Sequence, residues 1–417
     1  MCGLPFYVND ETGPPVPSIT ENFASVWKAE REVDEEHEFL LNKGWIEGPL
    51  SLEEVNQSVI SGRAAVPKKD TPEPRLVIDV SASVNAYLLD LELQLPTVDE
   101  AVRLIKEAGP NCYVGKLDLE KGYLQFPVCP QFTWMLGYQW RDQFWKYRRL
   151  PFGVNQAPFL FCKCTSAINR MLSQRGIVAV VYFDDFLIIG RSYNDCLEAM
   201  LATIELLSYL GVKVKDSKTI WPCRKIVFLG IEIDVDLHVT RLPLEKLVKI
   251  RNKLDSIRGF KFLHFKKFSS LVGLLSFAAR VVANSRSFLR RMWDLEKGIP
   301  SARRCSHIFE LTSEFWLDYN WWDQFLESWN GVSFWKFDTQ EISFDFAVTT
   351  DASGLGFGGH SDSWFVYGFW SEDQLSNSST WKELKAIQIV INYASRICTL
   401  VERATSSAFI SNQMIKH

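Results

Sequence analysis

Residues 181–190 read VYFDDFLIIG, two adjacent aspartates inside an apolar, β-branched run. IVAVVYF and FLIIG have strand composition, so the spacing predicts a tight hairpin with Asp184 and Asp185 at its bend. Aspartate is a common turn residue, because its side chain bonds nearby backbone. A polar hairpin tip is therefore one reading. Two features weigh against it. The flanks are apolar throughout, as in buried central strands. Two carboxylates about 4 Å apart also repel by roughly 4 kcal/mol at an effective dielectric near 20. A divalent cation would remove that repulsion.

KLDLEKGY carries a third carboxylate, Asp118, at the end of an apolar strand, with Tyr123 five residues on. Strand-end aspartates often serve as caps. Together, Asp118, Asp184 and Asp185 form a candidate hard-oxygen site for Mg²⁺. Two such ions can clamp the attacking and leaving oxygens of a phosphoryl transfer.

Charge is unevenly distributed. The 417-residue chain has a net charge of −4, yet residues 241–304 hold 16 Lys and Arg against 4 Asp and Glu. Such a segment suits a polyanion or forms a solvated helical face. Its helical spacing is clear in LPLEKLVKIRNKLDSI and HFKKFSSLVGLLSFAARVV. FWLDYNWWDQFLESW reads as a helix or connector. Elsewhere, VWKAEREVDEEHEFLLNKGWIEG is helical up to Gly44, and NDCLEAMLATIELLSYLG is a helix capped by Ser192 or Asn194 and closed by Gly211. AAVPKKDTPEPRLVIDV is a strand, a charged turn and a strand, and KIVFLGIEID opens another hairpin. Three strands are expected across FDFAVTTDASGLGFGGH and SWFVYGFW, then a helix over STWKELKAIQIVINYASRI. The nine cysteines show no zinc-ligand spacing. No secretory leader or membrane-spanning run is evident, so a reduced, intracellular compartment and no membrane partner are expected, without a choice between cytoplasm and nucleus.

Six segments, in order from Lys68 to Asp234, resemble the reverse transcriptases of retroelements. PKKDTPEPRLVIDVSASVN resembles the two fingers strands, KLDLEKGYLQFPV motif A, LPFGVNQAP motif B, YFDD motif C, GVKVKDSKT motif D, and VFLGIEID the primer-grip hairpin. The resemblance implies an α+β, right-hand polymerase fold with fingers, palm and thumb, and RNA-directed DNA polymerase activity. The cofactor would be two Mg²⁺ ions, with Mn²⁺ as an alternative. The partners would be an RNA or DNA template with its primer, and dNTP. Asp118 and Asp184 would be the principal metal ligands, with Asp185 needed but coordinating less directly, since neighbouring side chains on an extended backbone diverge. Lys68 and Arg75 would contact the triphosphate. Tyr123 would exclude a ribose 2′-hydroxyl by bulk, Phe152 would shape the same pocket, and Lys218 would assist the leaving pyrophosphate.

Beyond the basic segment, TTDASGLGFGG and STWKELKAI resemble the first strand and first helix of a ribonuclease H domain, with Asp351 and Glu383 as its metal ligands. The next strand of that domain should carry an aspartate, but its candidate, SSAFISNQ, has Ser411, Asn412 and Gln413, and the sequence ends at His417. A truncated α/β segment without RNA-strand cleavage is the expectation. The resulting division is a lead-in at 1–20, fingers and palm at 21–240, thumb at 241–304, connection at 305–342 and partial ribonuclease H segment at 343–417. WPCRKIVFLGIEID and SSTWKELKAI are most similar to elements of the DIRS type, with gypsy-type elements and pararetroviruses as alternatives. A decayed or co-opted nucleic-acid-binding fragment is the competing reading of function.

Overall fold

The computed structural model describes residues 3–67, 74–282, 284–297, 299, 306–329, 331–335 and 348–414, with side chains to residue 396 except at 334. The chain divides into two compact units, residues 1–337 and 338–417.

The first unit opens on a helix followed by two hairpins. Helix α1 (Glu30–Asn42) buries Val33, His37 and Leu40, one stripe at helical spacing. Strand β1 (Arg63–Val66) pairs antiparallel with β2 (Arg75–Ile78), the hairpin expected around the charged turn. A second hairpin joins Gly137–Trp140 to Gln143–Tyr147.

Next comes a four-stranded antiparallel sheet. Its strands are β3 (Tyr113–Asp118), β4 (Val178–Tyr182), β5 (Asp185–Gly190) and β6 (Ile220–Cys223), in the order β6-β3-β5-β4. Both faces are covered, which explains the unbroken apolar runs. Leu117, Phe186 and Ile188 share one core with Phe161 and Ile168 of helix α2 (Ala157–Gln174) and with Met200 and Leu207 of α3 (Tyr193–Tyr209). Val114, Leu187 and Ile189 share the other core with Ala101 and Ile105 of the Val98–Ala108 helix and with Ile226, Phe228 and Ile231. Helix α3 is capped by Ser192, whose hydroxyl accepts the Asp195 N–H at 3.2 Å, while Asn194 lies inside the helix. Its chain then turns at Gly211, at φ 74°.

The Lys225–Phe228/Ile231–Asp234 hairpin follows, as expected. The basic segment forms helices α4 (Leu244–Asp255) and α5 (Phe265–Ala278). The Trp-rich stretch is a helix, α6 (Ser313–Ser328), rather than an extended connector. It joins the same core: the Tyr319 hydroxyl donates to the Leu254 carbonyl at 2.9 Å, and Trp322 donates to the Phe288 carbonyl at 2.9 Å.

In the second unit, the three expected strands form an antiparallel sheet, Thr349–Ala352, Gly356–Ser361 and Trp364–Phe369. Helix α7 (Ser379–Met414) lies on it through Ala386, Val390 and Ala394, an i, i+4 stripe. Here the structure corrects the sequence reading. SSAFISNQ continues α7 and forms no strand. No Gly or Pro lies between Ser379 and Met414, so nothing local stops the helix once it has started.

Candidate active site

The β4–β5 hairpin turns on two residues, Phe183 and Asp184. Phe183 adopts φ 53°, an unusual conformation for a bulky residue and a local cost of order 1–3 kcal/mol that the packed strands must hold. Asp185 begins β5 and stands directly opposite Asp118, the last residue of β3. The Leu119 N–H donates to the Asp184 carbonyl at 3.1 Å, tying the two strand ends together. Sheet register, not sequence proximity, thus gathers carboxylates 66 and 67 residues apart.

Asp118 and Asp184 line one cavity of about 620 Å³ with Arg75, Tyr123, Phe152 and Lys218. Six of the eight residues picked for metal and nucleotide contacts therefore meet in one place. Asp185 does not line that cavity. Lys68 lies outside the described residues.

The electrostatics follow from burial. Asp118 is only 5% exposed. Its Oδ2 pairs with Lys218 Nζ at 3.0 Å. Desolvation pushes the Asp184 carboxyl above the usual range, and repulsion from Asp185 and Asp118 adds to it. Burial works against the Lys218 charge, but its hydrogen bond to Asp118 and the nearby carboxylates outweigh that and raise it. Asp185 is held from the other side, by Lys116 Nζ at 3.0 Å. Among the described residues no three His, Cys, Asp or Glu side chains form a preformed metal cluster. Yet Asp118 and Asp184 present acceptor-only oxygens to one cavity, and their mutual repulsion is relieved by positive charge. This donor set suits a hard divalent cation.

Tyr123 sits between two rings, 5.0 Å from Phe152 and 4.8 Å from Phe161. Desolvation, with the neighbouring Cys162 and Asp184, pushes its phenol up to about 12. The Arg75 guanidinium lies 5.1 Å from the Phe152 ring centre, so the β1–β2 hairpin reaches the same wall. That approach needs Gly153, at φ 123°, where a Cβ would stand 1.9 Å from the Ile78 carbonyl oxygen.

Two residues that sequence reasoning passed over shape this site. Lys116 precedes Asp118 by two, so on a strand it shares that face; the one cation in CYVGKLDL was the available signal. Buried Gln125 donates to the Glu120 and Lys213 carbonyls at 2.6 and 2.9 Å and accepts the Lys213 N–H at 2.6 Å. It joins the loop after Asp118 to the segment leading to Lys218. Its sequence signal was weak, one amide in an apolar stretch. In the second unit, Asp351 lies on the Thr349–Ala352 strand and Glu383 on helix α7. The buried side chain beside Glu383 is Lys382, which donates to the Gly354 and Leu375 carbonyls at 3.0 and 2.9 Å.

Residues 66–233 match the family described as reverse transcriptase (RNA-dependent DNA polymerase). Residues 66–233 thus form a reverse transcriptase domain. Among its relatives, Protein P of duck hepatitis B virus is 25% identical over 230 residues, covering 54% of this chain and 28% of that protein. The retrovirus-related Pol polyprotein from transposon 297 of Drosophila melanogaster is 25% identical over 261 residues, covering 60% of this chain and 24% of that one. The chain therefore spans less than a third of the curated relatives it matches. A foamy viral protease-reverse transcriptase in complex with double-stranded DNA shares the fold. Its TM-score is 0.60 at 18% identity, over 92% of this chain and 63% of that one. No described helix is long and apolar enough to cross a membrane.

Proposed function

We propose that this chain is an RNA-directed DNA polymerase that adds deoxynucleotides to a primer 3′-hydroxyl on an RNA or DNA template. The observation that carries the reading is the convergence of Asp118 and Asp184 in one cavity with Arg75, Tyr123, Phe152 and Lys218. Asp118 and Asp184, with Asp185 behind them, would hold divalent cations of the Mg²⁺ class or Mn²⁺, which when bound neutralise charge in phosphoryl transfer.

The chain's own groups do the rest. Arg75 supplies a cation to the triphosphate, with Lys68 proposed beside it. Tyr123 limits room at the sugar, and its high pKa keeps it a neutral, steric wall. Phe152 fixes that wall from the motif B side. Lys218 offers a proton-bearing ammonium to the leaving pyrophosphate. Residues 21–240 are proposed as fingers and palm, 241–304 as thumb, 305–342 as connection and 343–417 as a partial ribonuclease H-like segment with Asp351 and Glu383 as its remnant. Of retroelement classes, the DIRS type is proposed.

Primer extension on an RNA template tests the reading. Extension should require Mg²⁺ or Mn²⁺ and fall by at least ~10³-fold in Asp184→Asn. Unchanged extension by that variant would sink the assignment. Template–primer binding without any extension would favour the nucleic-acid-binding alternative.

A further inference from the structure

The three carboxylates and two lysines of the site leave one net negative charge. The lysines are held very differently. Lys116 projects from the middle of β3, whose backbone pairs with Leu187 on one side and Ile220 on the other. Its side chain is 19% exposed, and its Nζ lies 3.0 Å from Asp185 Oδ1. Lys218 ends a single turn of 3₁₀ helix, Asp216–Lys218. Its side chain is 55% exposed, while the Asp118 carboxylate it covers is 7% exposed. The base of its segment is fixed, because the Lys215 N–H donates to the Asp118 carbonyl at 2.8 Å. So Lys218 has a tethered root and a free stem, whereas Lys116 has neither room nor slack.

We propose that Lys218 is an exchangeable counterion of Asp118, displaced into the cavity when a divalent cation binds, while Lys116 stays on Asp185 as a fixed one. The inference rests on the nucleotidyl-transfer reading and adds a coupling to it. A doubly charged ion on Asp118 and Asp184 turns the local charge positive and repels the ammonium 3.0 Å from Asp118. The tether confines that ammonium to the cavity, where a nucleotide's phosphates would accept it. Cation binding and presentation of Lys218 to the leaving group are then one event. Lys116 holds Asp185 aside, so the cation site consists of Asp118 and Asp184.

Mn²⁺ binding to the full chain without nucleotide or primer, followed by electron paramagnetic resonance, tests this independently of turnover. Lys218→Met should bind Mn²⁺ roughly tenfold more tightly, because the competitor is gone. Lys218→Arg, which keeps the charge and pairs with a carboxylate through two N–H groups, should bind it no more tightly than wild type. Lys116→Met should lower the metal-free melting temperature and tighten Mn²⁺ binding by less than Lys218→Met does. Unchanged or weaker binding by Lys218→Met overturns the exchange, as does a Lys116→Met effect equal to or larger than it. If wild type shows no Mn²⁺ binding that Asp118→Asn or Asp184→Asn removes, the nucleotidyl-transfer reading itself fails. Loss of the exchange alone leaves that binding intact.

Discussion

The charged form of Asp184 is held at a cost to stability. Its carboxyl is raised above the usual range by desolvation and then by its acidic neighbours. A raised folded-state pKa contributes stability when the group is protonated, and that contribution is lost as pH rises through the folded value. At neutral pH the charged form is therefore a burden. Asp184→Asn, a permanent mimic of the neutral acid, should melt higher at pH 7, on the order of 2 °C. The gain should vanish below the ordinary aspartate pKa. Calorimetry across that range checks it, and a lower melting point at pH 7 would contradict the burial argument. Burial pushes the Tyr123 phenol up to about 12, and its ring stands against Phe152 and Phe161. Tyr123→Val should raise ribonucleotide incorporation relative to deoxynucleotide by roughly 10–100-fold, a transition-state difference of about 1.4–2.7 kcal/mol. Single-nucleotide insertion kinetics with both sugars would show it; unchanged discrimination would refute Tyr123 as the group that selects the sugar.

Elements carry a pH dependence of their own. Helix α1 docks on the Gly137–Trp140/Gln143–Tyr147 hairpin through His37, whose Nδ1 is 3.0 Å from the Tyr138 hydroxyl. Burial first, then the neighbouring Arg63 charge, depresses the His37 pKa from 6.5 to about 4. A depressed folded-state pKa gives stability that is present above 6.5 and lost as pH falls through 4. The urea midpoint should therefore decline between those values. In His37→Gln this decline should flatten, while a parallel profile would exclude His37 as its source. The hairpins were legible at this scale because turn chemistry is local. Gly211 and Ser192 each stand next to the helix they delimit. The clamp made by Gln125 was not legible, because its partner Lys213 lies 88 residues away.

At the scale of the molecule, charge is the readable variable. Within residues 241–304, Lys249 and Lys253 of helix α4 converge with Lys267 of α5. Burial and then repulsion from Lys267 and Lys249 lower the Lys253 pKa. A duplex backbone laid there would relieve that repulsion. Template–primer affinity should fall with salt on a log–log plot. Replacing Lys249, Lys253 and Lys267 by Gln should make the slope shallower by about 2–3, near 0.9 per lost phosphate contact. Fluorescence anisotropy over a salt series measures this; an unchanged slope would move the nucleic acid off this surface.

The sequence alone determined the residue types, their spacing and the hairpin on which Asp184 and Asp185 sit. A two-residue turn between apolar strands is a local event, and so is the end of β3 at Asp118. Tertiary structure decided which of these groups meet. Sheet register set Asp185 opposite Asp118. Lys116 and Lys218 took separate carboxylates because one rides a central strand and the other a free stem. Long-range packing also drew the Trp-rich stretch into a helix of the basic segment's core. Along α7, by contrast, no breaker residue ends the helix, and the strand read into SSAFISNQ did not form. Strand pairing depends on partners distant in sequence, and periodicity within one segment does not contain them.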